Sequence, residues 1–227
     1  DRVTFDLFDR VNRGGTRLNN QEMRNALYQG NATKLINRLA EKDVFVEATE
    51  HSVPAKHMKD RYLVLRFVAF CLWQEHITID PDTNNLLEYK SNLEDFLGKT
   101  MRFLNRLNPE DKLFEELDTR FTHAMRLALQ LSTSGGFRLP SSTGKKRPIN
   151  MAFFESFSYF LSKLHGENKQ IYCQIQNVYE QLILDRDYLD TLTHSVDSGK
   201  QTEKRYEIIN RFIHNMNYDK EFYNKGL

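Results

Sequence analysis

The chain has little of what usually announces chemistry. It holds two cysteines, Cys71 and Cys173, in the apolar stretches FVAFCLW and IYCQIQNVY. Two thiols so far apart exclude a disulfide framework and a cysteine-based zinc site. Both are expected buried and reduced, as in a cytoplasmic protein. The seven histidines form no H-x-x-x-H pair, so no metal site is expected from these residues. Charge of one sign is also missing. There are 32 Lys and Arg against 31 Asp and Glu, a net +1, so nucleic-acid binding would need a local patch. The longest apolar run, Tyr62 to Trp73, is broken by Arg66 and is too short to span a bilayer. No signal peptide opens the chain, and no membrane partner is expected. The chain begins on Asp1 rather than Met, which suggests a piece of a longer protein whose front half carries chemistry.

Familiar catalytic motifs are absent as well. Gly98-Lys99-Thr100 reads GKT, but Leu93 stands where a phosphate-binding loop needs glycine. No G-x-S-x-G elbow occurs. The acids Glu115, Glu116 and Asp118, and Asp185, Asp187 and Asp190, fall on amphipathic segments and read as solvated faces. Neither an internal repeat nor a run of strands is evident.

What is present is a 3.6-residue apolar period in a chain of 227 residues with 16 Phe and 10 Tyr. A short helix is expected through Phe5, Phe8 and Val11, ended by Gly14 or Gly15. Asn19 and Glu22 form a capping box that opens a helix over 20–29, with Gly30 as its C′ residue. Asn31 is expected to cap the next helix. Residues 43–54 look irregular. Further helices are expected over 55–75, over 91–107 with Ser91 and Glu94 as a capping box, and from Asn108-Pro109 to about Ala128. Asn150 caps another through Phe154 to Leu164, and two more cover 170–184 and 202–216. The fold class is all-α, an irregular bundle of roughly eight helices. Residues 1–42 are read as a corner with helices completing an upstream domain. Residues 43–227 are read as the helical bundle itself, with a basic loop at 132–150.

Two stretches carry candidate sites. In the loop 132–150, Arg138, Lys145, Lys146 and Arg147 supply four cations with no acid between Phe137 and Ile149. Glycine, serine and proline there allow close backbone approach to a phosphate, and the helix beginning after Asn150 offers free N–H groups. An ordinary surface loop is the competing reading. In the opening stretch a structural corner accounts for the glycines, but not for the crowding of cations around them. Arg24 lies on the helix face away from Met23 and Leu27, free to pair with an acid or reach a ligand.

The opening stretch, LFDRVNRGGTRLNNQEMRNALYQG, resembles the segment F-x-R-[IV]-N-x-G-G-x-x-L-x-x-Q-E-[IM]-R-N-A of the N-terminal-domain family of GmrSD-type restriction enzymes, a ParB/sulfiredoxin-like group. DRYLVLRFVAF, GGFRL with KKRPINMAFFESFSYFL, and THSVDSGKQTEKRYEIINRF extend the resemblance along most of the chain. It implies a bacterial or archaeal defence protein that couples nucleotide hydrolysis to DNA cutting. The family's D-G-Q-Q-R motif would lie before Asp1, and no nuclease signature occurs here, so no catalytic residue is carried over. What is carried over is the corner: Arg10, Asn12, Gly14, Gly15, Leu18, Gln21, Glu22 and Arg24. These residues are expected to wall a nucleotide pocket or to serve as a structural corner. The resemblance implies NTP and Mg in the intact protein only. It implies DNA and an upstream ParB-like domain as partners; a homo-oligomer is also open. A non-catalytic interaction module is the alternative reading.

Overall fold

A computed structural model describes residues 18–131, 136–141 and 143–224, with side chains of 217–224 left out of the description. The expected helix through Phe5 to Val11, and with it Arg10, Asn12, Gly14 and Gly15, lies outside the described residues. Ten α-helices follow: α1 (Asn20–Leu27), α2 (Asn31–Ala40), α3 (Asp43–Ala48), α4 (Lys59–Gln74), α5 (Leu93–Arg106), α6 (Lys112–Leu129), α7 (Met151–Ser162), α8 (Lys169–Leu184), α9 (Arg186–Thr193) and α10 (Gly199–Asn224). One 3₁₀ turn, Lys56–Met58, precedes α4. Among the described residues there is no strand, only an isolated bridge between Ile79 and Leu86. The all-α class stands. The two short helices beyond the expected set are α3, in a stretch expected to be irregular, and α9, which Asp185 caps by accepting from the Tyr188 N–H. Both are too short for a period to stand out; packing stabilises them.

Helices α4 and α7 form the centre. Every residue of α4 from Leu63 to Leu72, and of α7 from Ala152 to Ser162, is buried. A helix buried on all sides needs neighbours all round. α7 packs on α4, α6 and α10, while α3 lies on α6 and α2 spans α4, α5 and α6. Aromatic rings fill the space. Phe70 meets Phe96 at 5.0 Å and Tyr206 at 5.4 Å, and Phe137 meets Phe154 at 4.7 Å between ring centres. Each such ring, fully buried, contributes about 1.5–3 kcal/mol.

Local expectations hold in part. Asn19 accepts from Gln21 N–H and Glu22 N–H at 2.8 and 3.0 Å, while its own N–H donates to Glu22 at 2.7 Å. Asn150 caps α7 by accepting from Phe153 N–H at 2.9 Å. Elsewhere the helix start differs from the expected one. Ser91 does not open α5: it sits at φ 57 and its Oγ accepts from Gly199 N–H, so Asn92 caps instead and Glu94 turns to Arg24. α6 starts after Asp111, not at Pro109, because the Asp111 carboxylate accepts from Leu113 N–H. Gly30, at φ 152, starts α2 rather than ending α1, and Asn31 is already helical, donating through Nδ2 to Leu107 O at 3.0 Å. A Cβ at Gly30 would lie 2.6 Å from Asn105 Oδ1. That side chain holds the turn by accepting from Ala32 N–H and donating to Tyr28 O. Cysteines divide: Cys71 is buried as expected, Cys173 is exposed, and both are free. Among the described residues no helix is long and apolar enough to cross a membrane.

Candidate functional site

The start of α1 is tied to the turn before α4. Asn19 Nδ2 donates to His57 O at 2.7 Å, and Glu22 Oε1 lies 3.2 Å from His57 Nδ1. His57 and Met58 hold left-handed backbone, at φ 60 and 55, which aims the carbonyl at Asn19. Gln21 and Arg24 turn inward. Arg24 is fully buried. Its Nε and Nη2 donate to Gln21 Oε1 at 3.2 and 3.0 Å, and its Nη1 pairs with Glu94 of α5. Its guanidinium lies 5.4 Å from the centre of the Tyr62 ring. So of the two roles expected for Arg24, it pairs with an acid. Among the corner residues described, Gln21 and Arg24 are interior and Glu22 is a cap.

The other face of the same network lies deeper. Arg66 is 5.6 Å from the Tyr62 ring centre and donates through Nη1 to Tyr62 OH at 3.2 Å. Its Nε donates to Glu155 of α7 at 2.5 Å, and its Nη2 to Asp197 at 3.0 Å. Arg205 of α10 donates to the second Glu155 oxygen at 2.9 Å and to Thr191 O at 2.8 Å. Glu155 and Arg205 are wholly buried. Burial alone would pull the Arg66 guanidinium down, but Glu155, Tyr62 and Asp197 outweigh it and hold it well above its ordinary value. An Arg–Glu–Arg bridge across α4, α7 and α10 thus fixes the middle of the bundle. Sequence reasoning did not identify it. The available signal was one charge on an otherwise apolar face: Arg66 in LVLRFVAF, Glu155 in AFFESFSYF.

The basic loop is closed at its base, where Asn150 N–H donates to Phe137 O at 3.0 Å. Its four cations do not present one surface. Arg138 is 5% exposed. Its Nη2 donates to Ser52 Oγ at 2.6 Å, and its Nη1 lies 2.9 Å from Glu50 Oε2. Lys146 Nζ pairs with the same Glu50 oxygen. Arg147 donates to Pro140 O at 3.1 Å, and Lys145 is exposed. No acid lies within the loop, yet Glu50, just past α3, is delivered to it by the fold. Two of the four loop cations are thus paired by an acid from outside the loop. A cavity of about 140 Å³ opens beside the loop, lined by Ser52, Val53, Lys59, Leu63, Ile149 and Met151 among others.

Among the described residues no cluster of three or more His, Cys, Asp or Glu is placed to hold a metal ion. No family model matches the chain, and neither a curated protein nor a solved structure matches it.

Proposed function

We propose that this chain is the helical scaffold portion of a GmrSD-like, nucleotide-dependent DNA restriction protein used in phage defence. In this reading the nucleotide and Mg²⁺ belong to the upstream ParB-like half, and the described helices contribute a wall and DNA-backbone contacts. The observation that carries the reading is the clamping of α1. The helix that follows the N-x-G-G stretch is held to the turn before α4 by Asn19 and Glu22, and to α5 by Arg24. A helix so anchored is a rigid support for a pocket built beside it. Lys145, Lys146 and Arg147 are exposed, with access to a phosphate backbone, and of the three Lys146 also pairs with Glu50.

The test uses the intact protein. Lys145→Ala with Arg147→Ala weakens DNA binding equally for all sequences and lowers the salt slope by about one per lost phosphate contact. Arg24→Met lowers nucleotide turnover by loosening α1 from α5. Unchanged affinity and turnover would count against both assignments.

A non-catalytic interaction module is the second reading, favoured by Glu50, which compensates two of the four loop cations. It predicts no DNA shift at any salt and a complex visible by light scattering.

A further inference from the structure

The contact between Glu50 and the basic loop is close but poorly made. Arg138 Nη1 stands 2.9 Å from Glu50 Oε2, yet the two are out of line for a hydrogen bond. Neither Nη1 nor Nε of Arg138 has a hydrogen-bond partner among the described residues, and Glu50 Oε2 has none either. A cation this buried normally has its donors satisfied. The opposite edge of the same guanidinium is well held. Ser52 Oγ accepts from Nη2 at 2.6 Å and donates to Thr49 O at 2.5 Å. Arg138 is therefore fixed in place with the N–H groups of Nε and Nη1 left over.

Glu50 is the less settled partner. It takes left-handed backbone at φ 53, and His51 after it does the same at φ 53. Neither is a glycine, so the turn is held against local preference. On the other side Gly136 lies beside the guanidinium: a Cβ built on it would stand 3.8 Å from Arg138 Nη1, in ordinary van der Waals contact. Lys146, whose side chain is 62% exposed, reaches the same Glu50 oxygen from the solvent side.

We propose that Arg138 and Lys146 form a phosphate site which the Glu50 carboxylate occupies as an internal substitute, so that a phosphate group binds by displacing it. A phosphate oxygen entering where Glu50 Oε2 now lies meets Lys146 and the unused N–H groups of Arg138, and brings more acceptors than a single carboxylate oxygen. Glu50 then swings outward and the loop gains its charge only when an anion competes for it. This rests on the phosphate-binding role proposed for the loop and adds its regulation.

The test measures binding of a duplex oligonucleotide, and separately of tripolyphosphate, to the full chain and its variants across salt. Glu50→Gln binds at least one probe about tenfold tighter at low salt, with a slope steeper by about one. Glu47→Gln removes the same charge from an exposed position on α3 and changes affinity by no more than about twofold, as expected for a solvated charge that does not occupy the site. Lys146→Gln added to Glu50→Gln returns binding to the wild-type level, and its exposure keeps the fold intact. A gain for the duplex alone assigns a strand backbone as the natural anion; a gain for tripolyphosphate assigns a free polyphosphate. If the wild type binds but Glu50→Gln gains no more than Glu47→Gln, or Lys146→Gln fails to cancel the gain, the gate falls while the binding role stands. If no variant binds either probe, the gate and the binding role fall together.

Discussion

Among the described residues several carboxylates each meet two cations, and two of these places, at Glu155 and at Glu50, are built differently. At the centre, both oxygens of Glu155 accept hydrogen bonds, from Arg66 and Arg205. At the loop, Arg138 and Lys146 converge on one oxygen of Glu50, which accepts no well-formed bond. The first pairing lies within the helical core, where three helices hold each side chain in place. The second joins a loop to the end of a short helix. The same three charges thus make a fixed brace in one setting and an exchangeable contact in the other. What separates them is how completely the donors and acceptors are matched. At the centre Arg205 Nε alone of these three groups' polar atoms lacks a partner among the described residues, against Arg138 Nε, Arg138 Nη1 and Glu50 Oε2 at the loop. A buried unmatched charge is costly.

That difference can be broken from the central side first. Glu155→Gln leaves two buried guanidinium groups without their carboxylate, and should cost about 3–5 kcal/mol in denaturant unfolding. A loss no larger than that of a surface substitution would mean the brace is not holding α4, α7 and α10 together. Arg24→Met comes next, at about 1–3 kcal/mol, because Gln21 Oε1 loses both donors inside the protein while the half-exposed Glu94 regains water. Glu50→Gln should cost only about 1 kcal/mol, since no aligned hydrogen bond is lost and Lys146 is already largely in water. A cost equal to that of Glu155→Gln would erase the contrast between the two regions.

The smallest effect is confined to acid and sharpens the comparison with an intermediate case. Glu75 accepts from Arg120 at 2.8 and 2.6 Å and also pairs with Lys163. Burial would raise its pKa, but the hydrogen bonds from Arg120 and Lys163 outweigh this and hold the carboxyl below its ordinary value of 4.5. With the folded pKa below the unfolded one, its contribution is complete above the unfolded pKa and is lost as pH falls through the folded one. Thermal unfolding of Glu75→Gln should therefore depend less on pH in the acid range than the wild type does. Parallel curves would remove Glu75 from the acid response.

The helical part of this molecule was legible because apolar period and capping residues are local. Asn19 with Glu22, and Asn150, needed only their own neighbours in sequence, and both caps formed. The capping box expected at Ser91 and Glu94 was lost to distant partners. Ser91 was taken by Gly199 and Glu94 by Arg24, partners 108 and 70 residues away. The candidate site was legible as a list of cations, but not as a charge distribution. Nothing within LPSSTGKKRPIN announces that Glu50 will lie against it.

The sequence by itself determined that this chain is helical, where its main helices run, and that its phenylalanines make the core. These follow from the 3.6-residue repeat and from end caps set within one turn. Only the tertiary structure decided which charges are interior, which cation meets which carboxylate, and which donors remain unused. Ion pairing is fixed by the packing of helices far apart in the chain, and a charged residue carries no local mark of the partner that packing will bring to it.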